Sequence, residues 1–302
     1  TMTTIVPYTL ERAAEVTQAY NTLIRPVPHC YPVDTATFHA AVAAACTGGS
    51  SYDLVHDERA FVALRGTDVL GFAHTAVGYR RPDEPRETGI LRFLWYRAGE
   101  RAAGHDILGH VERVLRAQGM TDVVAFPQIH RYPFLYLSSA YLSDRLGHVA
   151  ALLGKNGYQR TAGEVYLNWR DLPVLEPVPA QVEAEITLEW KPGAGRLPGL
   201  AVHAHRGEKE IGVCMCVSCA EYNAAGEDQD WAFTKWLGVE EEEQGKGLGK
   251  YLLQRALREL RLAGYRHATI STALHNYRAA LFYSNLGYRV VDWTYEYGRR
   301  LV

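Results

Sequence analysis

The clearest periodicity in the chain lies late. Leu248, Leu252, Leu253, Ala256, Leu257 and Leu260 recur at helical spacing, so residues 248–263 predict an amphipathic helix with Gly264 as its stop. Ahead of it, apolar stretches at 200–205 and 211–217 flank a polar turn at 206–209, which predicts a hairpin. A polar loop over 221–230 leads to a third strand at 231–239, which runs into four glutamates. After the helix, 267–272 reads as a strand, 276–286 as a short helix stopped by Gly287, and 288–301 as one or two strands rich in aromatics.

The earlier part repeats this order more faintly. Helices are expected over 9–23, with Thr9 as cap, and over 38–45. A hairpin joins 61–64 to 69–76, and 90–96 is a strand. Residues 101–106 precede a helix over 107–118 stopped by Gly119, then come a strand at 123–126 and a helix over 149–156 stopped by Gly157-Tyr158. Gly104 and Gly247 take matching places, as do Gly157-Tyr158 and Gly287-Tyr288. The proline-bearing stretch 172–179 predicts a semi-rigid linker. The expectation is an α/β (α+β) chain of two similar domains, 1–172 and 183–302, joined by 173–182.

Composition narrows the partners. A length of 302 residues, 47% apolar and 22% charged, suits a globular chain of two domains. A net charge of −2 gives no reason to expect nucleic acid or an anionic membrane. No apolar run approaches the ~20 residues of a membrane span, and the first residues lack a signal-peptide core. Five cysteines is an odd number, which points to a reducing cytoplasm rather than a disulfide scaffold. Cys214, Cys216 and Cys219 cluster without a second thiol or histidine pair at ligand spacing, so they are expected to pack and no metal is expected.

The chemistry centres on residues 239–250, Val-Glu-Glu-Glu-Glu-Gln-Gly-Lys-Gly-Leu-Gly-Lys. Glycines without Cβ let backbone N–H groups approach an anion, and a helix start adds unpaired donors and the positive end of its dipole. That is a phosphate cradle; the bland alternative is a flexible loop before an ordinary helix. A P-loop is excluded because Gly249-Lys250 is followed by Tyr251, not Ser or Thr. The dinucleotide fingerprint is excluded by the spacing Gly245-x-Gly247-x-Gly249 and by the preceding antiparallel hairpin.

Gln244-x-x-Gly247-x-Gly249, between a strand and a helix, resembles the acetyl-CoA loop of the GNAT N-acetyltransferase superfamily. Residues 276–288, Asn-Tyr-Arg-Ala-Ala-Leu-Phe-Tyr-Ser-Asn-Leu-Gly-Tyr, resemble that family's second signature. The resemblance covers about 200–290. It implies two tandem GNAT-like domains, each a mixed, mostly antiparallel twisted sheet flanked by helices, and acetyl-CoA as co-substrate. The backbone at Leu237 and Val239 would pair with the pantetheine arm, and the Val239 N–H would polarise the thioester carbonyl. Gln244, Gly245, Lys246, Gly247, Leu248 and Gly249 would hold the diphosphate, with Lys246 or Lys250 adding charge unless both are merely solvated. Tyr283 would protonate the leaving thiolate or else only pack on the cofactor. Asn276 would bond to pantetheine or an ordered water, or simply cap its helix.

The implied activity is transfer of an acetyl group to the primary amine of a small molecule, in a monomer or homodimer. A protein or peptide amine, or a non-catalytic acyl-CoA sensor, is the alternative. The base is left open among His275, Asp230 and Glu240; the glutamate run 240–243 is expected to be a solvated face, the alternative being carboxylates that raise one another's pKa. His203 and His205 share a strand face and read as polar surface. Between 190 and 200 there is no room for the family's first two helices, so the N-terminal domain or a partner subunit would wall the acceptor site.

The first domain departs from the family. Asp106 stands where a small residue belongs, Leu153 replaces the acid Tyr, Leu146 the Asn, and an aromatic insertion occupies 127–145. It reads as a degenerate, non-catalytic copy. The tandem layout resembles the mycothiol synthase family, whose second domain carries the chemistry.

Overall fold

The computed structural model describes residues 3–46, 54–223 and 225–301. It resolves into two compact units, 1–164 with 292–302, and 165–291. The division therefore falls at 164/165 and 291/292, not within the expected linker.

In the first unit, β1 (Thr4–Pro7), α1 (Ala13–Leu23) and α2 (Thr35–Cys46) precede the strands β2 (Val55–Arg65), β3 (Asp68–Gly78) and β4 (Thr88–Tyr96). Then come α3 (Arg101–Ala117), β5 (Asp122–Ala125), the two-residue β6 (Leu142–Ser143), α4 (Gly147–Lys155) and β7 (Gln159–Trp169), whose last residues belong to the second unit. β1 to β4 pair antiparallel in sequence order, and β5 joins β4 in parallel. Thr9 is no cap: its side chain makes no capping bond, and the chain enters α1 through a 3-10 turn at Leu10–Arg12. α3 starts six residues before the expected position. Ala102 and Ala103 favour helix, and Gly104 lies inside it, where a Cβ would come within 2.9 Å of the Tyr96 ring. Gly104 is thus a close-approach glycine, unlike Gly247.

The second unit contains β8 (Glu185–Lys191), β9 (Gly199–Arg206), β10 (Lys209–Ser218), β11 (Trp231–Val239), α5 (Leu248–Leu262), β12 (His267–Ala273) and α6 (Tyr277–Leu286). Last comes β13 (Arg289–Arg300), which crosses into the first unit, where its end pairs antiparallel with β5. β8, β9, β10 and β11 are antiparallel neighbours, and β12 joins β11 in parallel. Each unit is therefore a mixed, mostly antiparallel sheet with helices.

The apolar stripe of α5 is buried as its spacing predicts, packed on Val202, Ala204, Cys214 and Cys216 in one core. The Cys214 and Cys216 sulfurs lie 3.9 Å apart there, and Cys219 is buried too. At about 25 cal/mol per Å² such side chains supply most of the drive for α5 to form.

The expected linker is a strap fixed along α5. Arg261 donates to the Leu172 carbonyl at 2.8 Å, Arg258 to the Leu175 carbonyl at 2.8 Å, and Gln254 accepts from the Val178 N–H at 3.0 Å. The Gln181 N–H ends the strap on the Lys246 carbonyl at 2.8 Å. Prolines at 173, 177 and 179 keep it extended, and helix side chains satisfy its free backbone groups.

Candidate active-site cleft

β11 and β12 pair only from Trp231–His267 to Thr234–Ile270. A bulge at Lys235, between the pairs Cys216–Thr234 and Met215–Trp236, turns the rest of β11. From there to Val239 the strand keeps β10 on one side and loses its neighbour on the other. The Glu240 N–H donates to the Ile211 carbonyl at 3.0 Å, towards β10. By antiparallel alternation, the backbone groups of Val239 and Leu237 point away from β10, into the gap. A single strand edge thus offers donors and acceptors to an extended amide-bearing chain.

The loop after β11 turns at Gly245 (φ +79°) and at Gly247 (φ +85°), left-handed positions that favour glycine. Gly247 is the N-cap residue of α5, and its carbonyl takes the first helical bond, from Tyr251 N–H at 3.0 Å. The N–H groups at 248–250 therefore have no partner within the helix. Leu237, Val239, Glu243, Gln244, Gly245, Gly247, Leu248, Gly249 and Lys250 share one cleft of about 520 Å³ with Asn276, Arg278, Ala279 and Phe282 of the α6 region. Both sequence signatures thus line the same cavity, in the size range of small-ligand sites.

Two expected site residues lie outside that lining. Lys246 is held 3.1 Å from the Glu243 carboxylate. Tyr283 is buried in the core beside Phe282 and Tyr288, ring centroids 5.3 and 6.1 Å away. Asn276 caps α6, its side-chain oxygen accepting from the Ala279 N–H at 3.1 Å. Gly287 (φ +131°) ends α6 where Trp169 leaves no space for a Cβ, the nearest ring atom lying at 2.7 Å.

The glutamate run does not behave as expected. Glu243 is buried, and its pKa is lowered to about 2, first by hydrogen bonding to Arg206 (2.7 Å) and then to Lys246. Opposite charges outweigh any repulsion among the carboxylates. Glu240 is exposed and paired with Lys209 at 3.0 Å. Asp230 is displaced as a base: it precedes the paired start of β11, about 30 Å along the strand from Val239, and Arg196 holds it. His275 is exposed, just before the α6 cap.

Sequence reasoning overlooked Arg278. Its guanidinium donates to Gln244 Oε1 at 3.2 Å, while Gln244 Nε2 donates to the Val239 carbonyl at 3.1 Å. Two exposed side chains thus bridge the mouth of the gap. The signal was available in the helical neighbourhood of Asn276, since Ala279 and Phe282 also line the cleft.

Residues 198–290 match the family described as acetyltransferase (GNAT) domain. No curated relative matches the sequence. Among solved structures, a tandem GNAT protein from the clavulanic acid biosynthesis pathway aligns over 100% of this chain and 99% of its own, at 14% identity and a TM-score of 0.68. A GCN5-related N-acetyltransferase from Sphaerobacter thermophilus aligns over 99% and 96%, at 12% identity and 0.62. A glucosamine N-acetyltransferase region of a fungal multi-domain β-N-acetylglucosaminidase aligns over 99% of this chain but 38% of its own, at 13% identity and 0.61. Residues 198–290 thus match the GNAT acetyltransferase domain family, in a chain whose fold is that of solved tandem GNAT proteins.

Proposed function

We propose that the second unit transfers an acetyl group from acetyl-CoA to the primary amine of a small molecule. The observation that carries this is the pairing of a strand edge without a neighbouring strand at Leu237 and Val239 with a doubly left-handed glycine loop at a helix start, in one cleft. The loop amides 244–249 hold the diphosphate, and the strand edge pairs with the pantetheine amides. The charge for the phosphates comes from Lys250 and Arg278, because Lys246 is occupied in neutralising Glu243.

The neutral amine attacks the thioester carbonyl, forming a C–N bond and a tetrahedral oxyanion. The Val239 N–H stabilises that charge. The C–S bond then breaks and the departing thiolate, whose conjugate acid is near pKa ~8.5, takes up a proton; Tyr283, buried beside the cleft-lining Phe282, is the donor this reading puts to the test. The proton shed by the amine leaves to water or to His275, the one of the three proposed bases that neither sits at the far end of β11 nor is engaged by a lysine.

The experiment is an amine panel assayed for free-thiol release from acetyl-CoA, with product mass confirming the acetylated amine. Release that depends on a small amine, and is lost in Gly247→Asp, is expected. Release stimulated only by peptides would move the acceptor class to protein amines. Tight acetyl-CoA binding with no release by any amine would leave a sensor and end the enzymatic reading.

A further inference from the structure

We propose that the outer strands of the second unit carry a binding site for a borderline divalent cation of the Zn²⁺ class, made by His203, His205 and Glu210 and oriented by Glu189. The acetyl-CoA cleft plays no part in it, and it stands or falls independently of the acetyltransferase reading.

Three antiparallel strands build the site. His203 and His205 are two apart on β9, so they project to one face. That face is opposite Val202 and Ala204, which pack with α5 in the core. Glu210 on β10 pairs in register with His205, and Glu189 on β8 is two positions along from Thr187, the partner of His203. One donor atom from each of His203, His205 and Glu210 lies within 4.8 Å of the others. Two histidines and a carboxylate are a recurrent zinc ligand set, with a fourth position left to water.

The arrangement around His203 suits a metal. Its Nδ1 is 2.6 Å from Glu210, and its Nε2 is 3.4 Å from Glu189. An imidazolium donates to both carboxylates, whereas a neutral imidazole has one N–H and leaves the lone pair of its other nitrogen for a cation. With a cation bound at Nδ1, the other nitrogen carries the proton and donates it to Glu189, the carboxylate–histidine–metal relation that fixes ring orientation. The His205 ring lies beside it, centroids 5.9 Å apart and tilted by 26°. A tetrahedral ion with bonds of ~2.0–2.1 Å separates its N and O ligands by about 3.3 Å. Glu210 therefore need withdraw by less than about 1 Å, and its side chain is 44% exposed and free to do so. Lys191, 3.2 Å from Glu189, balances the extra carboxylate. The donor set selects N-binding metals over Mg²⁺ and Ca²⁺, which need oxygen cages. Cys214 and Cys216 are buried in the core of the same unit.

The test uses the untagged full chain, stripped with chelator. Zn²⁺ is titrated calorimetrically, and Co²⁺ is followed by visible absorption. One saturable site per chain is expected, with intense tetrahedral Co²⁺ bands and no heat from Mg²⁺. The double variant His203→Gln/His205→Gln should lose the site. Glu189→Gln should keep it with affinity weakened by about 10–100-fold, as expected of an orienting carboxylate. Circular dichroism checks that each variant is folded; these side chains are partly exposed, so folding should persist. An absence of saturable binding in the wild type, or binding that survives the double variant, overturns the proposal.

Discussion

Tyr96 and His148 exchange a pair of hydrogen bonds: the Tyr96 hydroxyl donates to the His148 carbonyl at 3.0 Å, and His148 Nε2 donates to the Tyr96 carbonyl at 3.0 Å. Tyr96 is the first-unit counterpart of Val239. Each is the last residue of a strand whose preceding bulge ends its pairing with the parallel neighbour, and each is followed by an N–H bonded to the strand before. The Tyr96 carbonyl thus points into the gap where the second unit leaves its cleft. His148, second residue of α4, matches Arg278, second residue of α6. In the first unit Tyr96 and the His148 ring, 5.0 Å apart, occupy the place and wall a different cleft of about 580 Å³ against α1. In the second, only flexible exposed side chains bridge it.

Acetyl-CoA should accordingly bind once per chain, and the first unit should remain empty. Calorimetry is expected to give a stoichiometry near one for the wild type and no binding for Gly247→Asp. A second site, or binding left over in Gly247→Asp, would contradict the plugged gap. His148→Ala should cost about 1 kcal/mol of stability, the worth of one hydrogen bond, read as a lower midpoint in denaturant.

How far the sequence discloses this follows from the range of the interactions. The α5 stripe and the bounds of β11 are local patterns, and the structure has both where the spacing puts them. Gly104 looks like a loop glycine because its neighbours in sequence do not include Tyr96, the ring that requires it. The strap reads as a linker because prolines signal extension, not what the extended segment docks on. The glutamate run reads as a solvated face because Arg206, which buries and ionises Glu243, arrives from another strand 37 residues away. Arg278 escaped attention because only its three-dimensional neighbour Gln244 gives it a purpose.

Tyr283→Phe tests the acid. Removing the hydroxyl from a buried ring leaves packing almost intact, since the remaining ring fills the same space. The expected outcome is a fall in kcat of about 10²-fold or more with little change in KM for acetyl-CoA. A wild-type kcat would reduce Tyr283 to a packing residue.

Glu243 makes stability depend on acid. Its folded pKa of about 2 lies below the usual 4.5, so its ion pairs stabilise fully above 4.5 and are lost as pH falls towards 2. Wild type minus Glu243→Gln stability should be constant above about pH 5 and shrink between 4.5 and 2. A difference unchanged across that window would mean the carboxylate is not held ionised. Glu243→Gln also frees Lys246, so acetyl-CoA binding at pH 7 should not weaken through lost positive charge.

Arg278, hydrogen-bonded to the neutral Gln244, and Lys246, ion-paired to Glu243, allow a contrast between the two cations. Arg278→Ala should weaken acetyl-CoA binding by about tenfold, of the order of one charge-assisted hydrogen bond. Lys246→Ala should do less to binding and more to stability, because it strips a partner from buried Glu243. Titration calorimetry and thermal melts on the two variants check the contrast. Equal effects on binding would return Lys246 to the phosphates.

The strap supports the loop from behind. Its last bond, from the Gln181 N–H to the Lys246 carbonyl, lies one residue from left-handed Gly247, and Ala180 Cα sits 3.7 Å from the position a Gly247 Cβ would take. Holding that carbonyl fixes the peptide between Lys246 and Gly247, and with it the direction of the Gly247 N–H. Gln181→Pro deletes the donor without touching the cleft. It should raise the Kd for acetyl-CoA several-fold while the thermal midpoint moves little, since the other strap bonds remain. Gln181→Ala, which keeps the N–H, should bind as the wild type does. If both variants bind alike, the strap is packing only, and the loop holds its shape through its glycines and Glu243.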